Sequence, residues 1–365
     1  MKKVLKRVVA VAMAAAMVLS VAACGSTSSS SAGSSSSGSE ATATGSGESS
    51  LKGKNVRVVI GSTSTSGDSY MIADIVTRYL GAEMGFNGKV DAIGNADALD
   101  TISNAKGDGT TIMMFHDMTF LSVLFGSVPE TYALENLTVG PRIGQNPGGC
   151  FGAAKETGFN TLADVTDYLV NKKGNLSFNI ESGATSHLAF AAYYLYIKNT
   201  YGDDVASQIK AIVGGTTAEK LQRLWDRQAD VIYGDTSAFE QYTVDGVQDQ
   251  LAMTMFGTCG KVAGLEVDSM ADSGITFDGE PFDFAKDFAM YFPKDMDEGI
   301  LAEIEAAMQK VTENPDFQAE MAKLYYNTLS ADEVAVEASK EFIYNKRDMC
   351  SKIIEQSPSL DELAN

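Results

Sequence analysis

From Leu51 onward, short apolar runs alternate with stretches whose apolar residues recur every three or four positions, the pattern of strands interleaved with amphipathic helices. Val56-Arg57-Val58-Val59-Ile60 predicts a strand running into a Gly/Ser/Thr loop, Gly61 to Gly67. Met71, Ile72, Ile75, Val76, Tyr79 and Leu80 then share one helical face. Asp97 to Ala105 predicts a second helix, and Thr111 to Phe115 and Leu176 to Ile180 two more strands. A helix from His187 to about Asn199 follows, then Ala211-Ile212-Val213 and a helix containing Leu221, Leu224 and Trp225. Ala229 to Tyr233, Leu251 to Met255 and Phe288 to Phe292 read as later strands. Ile300, Leu301, Ile304, Ala307, Met308 and Val311 line one face of a long helix. The class is α/β, with no internal repeat.

Several predicted strands leave into loops of small hydroxyl and glycine residues that open a helix, at Ser62–Ser69, Ser182–Ser186 and Gly214–Thr217. Such a junction points free backbone N–H groups and the positive helix end at whatever lies in front. One junction is ordinary capping, but three in one chain suggest a shared pocket at the carboxyl ends of the strands. Ser62, Ser64, Ser66, Gly67, Asp68, Ser182, Gly183, Thr185, Ser186, Gly215 and Thr216 are the candidate ligand-binding residues on these loops.

The beginning of the chain has a different pattern. Lys2, Lys3, Lys6 and Arg7 precede an uncharged apolar run from Val8 to Ala23, short for a membrane-spanning helix and ending in Val21-Ala22-Ala23-Cys24. Residues 1–23 resemble a lipoprotein signal peptide, which makes Cys24 the lipid anchor after cleavage. From Gly25 to Ser50 the chain is almost all Ser, Gly, Ala and Thr. These 26 residues have nothing to bury and reach about 28 Å as a flexible tether. The expected location is extracytoplasmic, on the outer face of the cytoplasmic membrane of a Gram-positive-like cell.

Charge narrows the partners. The first 23 residues carry four basic residues, leaving 24 basic against 48 acidic in the rest, a formal −24. Such a surface repels phosphate backbones and excludes nucleic acid as a natural partner. Cys150, Cys259 and Cys350 are spaced unlike a metal knuckle; one disulfide plus a thiol, or three buried thiols, both fit. Only His116 and His187 are present, and no nucleophile elbow, zinc-protease, phosphate-loop or dinucleotide motif occurs. Ser186 and His187 are adjacent at a helix start and do not face each other, which argues against a Ser–His hydrolase. The chain is read as a non-enzyme with no cofactor and no metal.

In order and spacing the junctions resemble the TctC/Bug family, the extracytoplasmic solute receptors of tripartite tricarboxylate transporters. Val56 to Ile60, Ala105-Lys106-Gly107-Asp108-Gly109-Thr110-Thr111-Ile112, Ser182 to Ala189, the run from Gly214-Gly215-Thr216-Thr217-Ala218 to Ala229-Asp230, and Leu251 to Thr254 carry the likeness across nearly all of Leu51 to Tyr344. It implies a type II periplasmic-binding-protein fold, two α/β domains joined by hinge strands with a ligand cleft between them. Crossovers near Gly148 and Asp283 divide the chain into 24–50 as lipidated Cys and tether, 51–148 plus 284–365 as domain 1, and 149–283 as domain 2. The implied ligand is a small organic acid, and the implied partners are one small and one large integral-membrane transporter subunit. Where the family has an asparagine-rich strand end, this chain has His116 and Asp117 after Phe115, and Asp235 follows Tyr233-Gly234; all three join the candidate site. If Asp117, Asp235 and Glu181 face the cleft, a tricarboxylate meets like charge, and a neutral or amino-bearing solute becomes the alternative. A sensing role beside a two-component kinase stays open.

Overall fold

The computed structural model describes residues 48–363. The expected signal peptide, the Cys24 anchor and the tether up to Gly47 lie outside the described residues. Among the described residues, strands run in chain order as β1 (Asn55–Ile60), β2 (Asn87–Ala92), β3 (Thr111–Phe115), β4 (Leu137–Asn146), β5 (Gly149–Ala154), β6 (Leu176–Ile180), β7 (Ile209–Val213), β8 (Val231–Asp235), β9 (Met253–Phe256), β10 (Thr276–Phe277), β11 (Glu280–Pro281) and β12 (Lys286–Pro293).

Ten of these build two five-stranded sheets of matching design. The first has the order β2-β1-β3-β12-β4 and the second β7-β6-β8-β5-β9. In each, four strands run in one direction and one runs against them: β12 against β3 and β4, and β5 against β8 and β9. The chain passes from the first sheet to the second at Pro147-Gly148, between β4 and β5, and returns just before β12.

Continuous apolar runs become strands covered on both faces, as parallel sheets require. Val58, Val59 and Ile60 of β1 and Ile112, Met113 and Met114 of β3 are fully buried. Helix Asp68–Met84 lays Ile72, Ile75, Val76 and Leu80 on that sheet and stops at Gly85, whose left-handed backbone lets its N–H reach the Gly81 carbonyl at 2.8 Å. In the second sheet Phe151, Phe178 and Tyr233 pack edge to face with Tyr193 beside them.

Several boundaries differ from the sequence expectation. β12 begins two residues before Phe288, at Lys286, because its antiparallel pairing with β4 continues back to Asn146. β9 starts at Met253 rather than Leu251, since Leu251 and Ala252 are held in turns to the Gln248 carbonyl. The second helix spans Asn95–Ser103. β2, with the sequence Asn-Gly-Lys-Val-Asp-Ala, is a polar edge strand without the apolar alternation that marks its neighbours. Cys150, Cys259 and Cys350 are buried free thiols, resolving the open alternatives for these three.

Candidate functional site

The carboxyl ends of the parallel strands of both sheets meet at one cluster of charge. Asp68 opens the helix that follows β1, Asp235 ends β8, and Lys286 begins β12. The Lys286 ammonium contacts both carboxylates, so one buried cation ties the first sheet to the second. Asn146, the last residue of β4, donates its side-chain amide to Asp68 at 3.2 Å and to Asp235 at 3.1 Å, while its Oδ1 accepts from Gly148 N at 2.8 Å. Asp68 also accepts from Ser69 N at 2.7 Å. Burial opposes charge on Asp68, but Lys286 and then His116 outweigh it and hold the carboxyl well below the ordinary range. Burial and the neighbouring Asp68 push Asp235 upward against Lys286.

Around this tie lie groups with unspent polarity. Glu181 follows β6 directly, and its neighbours β7 and β8 run parallel to it, so the loop at Gly214 and the end of β8 flank it. Gly214 N donates to the Ile180 carbonyl at 2.8 Å, fixing the two loops side by side. From the helix after that loop, Thr217–Trp225, comes Lys220, only 5% exposed. A helical side chain this near the N-terminus leans back over the first turn. Lys220 and the Glu181 carboxylate make no hydrogen bond or ion pair among the described residues. Burial lowers the Lys220 pKa, and Glu181 followed by Asp235 act against that. Burial raises Glu181, with Lys220 and Lys286 opposing. The buried Tyr326 hydroxyl has no partner and feels both Asp68 and Asp235, and the Thr185 hydroxyl is likewise buried and unpartnered.

The loops predicted from the sequence divide by what they do. Ser62 and Ser64 turn their hydroxyls onto the loop's own backbone, Ser62 Oγ accepting from Ser64 N at 3.1 Å and Ser64 Oγ from Ser66 N at 3.2 Å, while the Ser66 hydroxyl meets Ser64 Oγ at 3.3 Å. Gly67 caps the helix that Asp68 begins. The Ser186 hydroxyl accepts from Glu181 N at 2.9 Å and donates to the Glu181 carbonyl, so it closes the loop that carries Glu181. Ser182 is half-buried beside Glu181. Gly183 has φ +74°, and a Cβ there would lie 2.6 Å from Ser127 Oγ, so only glycine allows the first sheet's helix tail this close. Thr216 forms a capping box with Glu219, and it and Gly215 are exposed.

The two histidines are buried and neutral. His116 Nδ1 accepts from Met118 N at 3.2 Å, its ring lies against Phe115 and Phe288, and burial lowers its pKa to about 3. His187 accepts from Gly183 N at 3.4 Å, stacks on Phe125 with ring centroids 3.8 Å apart, and is lowered to about 4 by burial.

Asp117 belongs to a different network from the cleft cluster. It is fully buried and pairs at 2.7 Å with Lys346, which also holds Asp287 at 2.5 Å and donates to the Ala285 carbonyl at 2.6 Å. Arg142 bonds Asp287 at 3.0 Å and Gln145 bonds it at 2.7 Å, and Arg142 lies over the Phe342 ring. Burial and the neighbouring Asp287 raise Asp117 to about 6, against Lys346. The physical reason is strand alternation: neighbours on an extended chain point to opposite faces, and Lys286 and Asp287 do so on β12. A groove of about 500 Å³ opens on this side, between Gln145, Pro147, Phe284 and Lys346, and it contains none of Asp68, Glu181, Lys220 or Asp235.

Lys286 and Lys220 were absent from the sequence candidates. Each carried a signal: Lys286 shares β12 alternation with Phe288, Met290 and Phe292, and Lys220 lies one helical turn before Leu224 on the buried face. A lysine on an apolar face needs a partner.

No family model matches the sequence, and no curated protein matches it. Solved structures do match. MatC from Rhodopseudomonas palustris with bound malate superposes with TM-score 0.66 at 14% identity, over 82% of this chain and 99% of that one. The periplasmic binding protein BugD gives 0.63 at 17% identity, over 83% and 97%. A TctC solute-binding protein from Polaromonas, without ligand, gives 0.59 at 13% identity, over 83% and 98%. The two mirrored sheets, the double crossing between them and these superpositions agree: the chain has the type II periplasmic-binding-protein fold shared by solute-binding proteins of the TctC and Bug kind.

Proposed function

We propose that this protein is an extracytoplasmic solute receptor of the TctC/Bug family. It takes a small carboxylate-bearing solute into the cleft between the sheets and delivers it to a tripartite membrane transporter, held near that transporter by a lipid on Cys24. The division into 51–148 plus 284–365 and 149–283 belongs to this reading, with the hinge at Pro147-Gly148 and before Lys286. The observation that carries it is the pair of mirrored sheets crossed twice by the chain, with Lys220, a buried lysine that makes no ion pair among the described residues, on the helix that follows the loop at the end of β7. A carboxylate is the natural complement of such a group. MatC, of the same fold, holds malate.

The test is a thermal-shift screen of carboxylates, amino acids and sugars. A ligand at 100 times its Kd stabilises by about 2.7 kcal/mol. A melting shift with one class and a one-to-one stoichiometry by calorimetry is the expected result; no shift with any class refutes the receptor reading. A second reading has support in Glu181, whose unpaired carboxylate calls for an amino group on the solute.

A further inference from the structure

Besides the tie at Lys286, side chains join the first-sheet half to the second at Tyr325 and at Phe125. The Tyr325 hydroxyl donates to Glu240 Oε1 at 3.0 Å. Tyr325 follows helix Pro315–Ala322 and lies two residues before Asn327, whose N–H and carbonyl pair with Gln145 of β4 at 2.9 and 3.0 Å. Glu240 comes directly after the short helix Thr236–Phe239 that follows β8, and the fully buried Phe239 packs this turn onto the second sheet. Phe125 ends helix Met118–Leu124, which follows β3, and stacks on His187 in the first turn of the helix after β6. Ser127 lies against Gly183 beside that stack.

The backbone at Tyr325 shows that its contact is made against local preference. Its φ is +60°, its N–H bonds the Ala322 carbonyl at 3.1 Å, and Tyr326 N reaches back to the Met321 carbonyl at 3.0 Å. This is the left-handed helix stop where glycine is the usual residue, because a β-carbon crowds the backbone there. Helix Asp68–Met84 stops in the same way and uses Gly85. The other non-glycine residues with positive φ among the described ones, Lys173, Arg227 and Asp278, are exposed and polar. Glycine at 325 would relieve the backbone but could not reach Glu240. A disfavoured conformation persists where the surrounding structure holds it, and such positions collect at moving or binding parts of a molecule.

We propose that the Tyr325–Glu240 hydrogen bond and the Phe125–His187 stack are closing contacts, which hold the two halves together before a solute arrives and thereby set how tightly it binds. The proposal rests on the receptor reading above and adds its control. Tyr325 and Phe125 are positioning residues, acting through closure instead of touching the solute. A solute gripped by both halves binds the closed form, so its apparent affinity scales with the fraction closed. Weakening either contact therefore weakens every solute by one common factor and leaves the order of preference among solutes unchanged.

The test uses the full chain in small-angle scattering without solute. Tyr325→Phe, which removes only the hydroxyl, and Phe125→Ala are each expected to enlarge the radius of gyration, and the double variant to enlarge it further. Tyr325→Gly separates closure from folding. It is expected to melt no lower than Tyr325→Phe, since glycine relieves the left-handed backbone, yet to show the same larger radius. Malate, adipate, the standard amino acids and glucose are then titrated by calorimetry. Tyr325→Phe is expected to weaken whichever of them bind about three- to tenfold, all by the same factor. An unchanged radius in both single variants and in the double overturns the proposal, whether or not a solute binds. A larger radius in the variants, with none of these solutes bound by the unsubstituted protein, leaves the closing contacts standing and counts against the receptor reading alone. A changed order of preference places the residue on the solute and overturns its positioning role. A Tyr325→Gly variant that melts well below Tyr325→Phe and keeps the original radius shows a structural tyrosine and overturns the proposal.

Discussion

Two buried ionic networks lie back to back on the same strand, and they are built to opposite standards. Behind the hinge, Asp117, Asp287, Arg142 and Lys346 pair with one another, with Gln145 and the Ala285 carbonyl as further partners and Arg142 Nε left without a hydrogen bond. In the cleft, Lys286 ties Asp68 to Asp235 but Lys220 and Glu181 remain unmatched. A network of paired charges fixes a conformation. The buried charge is similar in kind, so the pairing of charges, rather than their presence, is what differs between the two.

The largest effect that tests this contrast comes from Lys346→Met. It leaves the buried Asp117 carboxylate without its cation, while Asp287 keeps Arg142, and is expected to cost about 3–5 kcal/mol in urea unfolding, whereas Lys220→Met is expected to cost far less. Equal losses at the two lysines would erase the distinction. Lys286→Met should fall between them, about 2–4 kcal/mol, because Asp68 and Asp235 can share a proton once the cation has gone. Asp68→Asn in that background is expected to restore part of the loss, again by urea titration.

Acid gives a third probe. His116 lies between the networks and feels Asp68, Lys286 and Lys346. It is held at about 3 and His187 at about 4, both below the ordinary value of 6.5. The unfolded chain therefore binds more protons, so stability is fully present above pH 6.5 and is lost as pH falls toward the folded values. Each ring is worth on the order of 2 kcal/mol by pH 5. Asp117, raised to about 6, works the other way between pH 6 and 3.8. His187→Phe should remove its share of the slope in melting temperature against pH. The smallest expected effect is Phe125→Ala, which deletes the stack on His187 and should cost about 1 kcal/mol beyond the lost burial, read from a double-mutant cycle with His187.

Much of the fold was legible because strand and helix periods are written in apolar residues such as Val56 to Ile60 and Ile300 to Val311. β2 was not, since an exposed edge strand needs no apolar face. Of the candidate residues, the structure brings Asp68 and Asp235 together and sends Asp117 behind the hinge, a distinction of face that loop sequence does not encode. The hydroxyls of Ser62, Ser64, Ser186 and Thr216 looked like ligand donors and are engaged in shaping their own loops. Lys220 and Lys286 were visible as charges on apolar faces, but their meaning depended on which other loops arrive beside them.

β12 has one more consequence, in the order of assembly. The second sheet is drawn from one uninterrupted stretch, Gly149–Phe256, whereas the first is left without its fourth strand until residues 286–293 have been made. Until that strand inserts between β3 and β4, the first sheet has an open seam, while the second has every strand it needs. Long-range closure is slow, so amides of β5 to β9 should gain protection from exchange before those of β3 and β4 in a refolding pulse. The residue that bridges Asp68 and Asp235, Lys286, is then also the one whose arrival closes the first sheet.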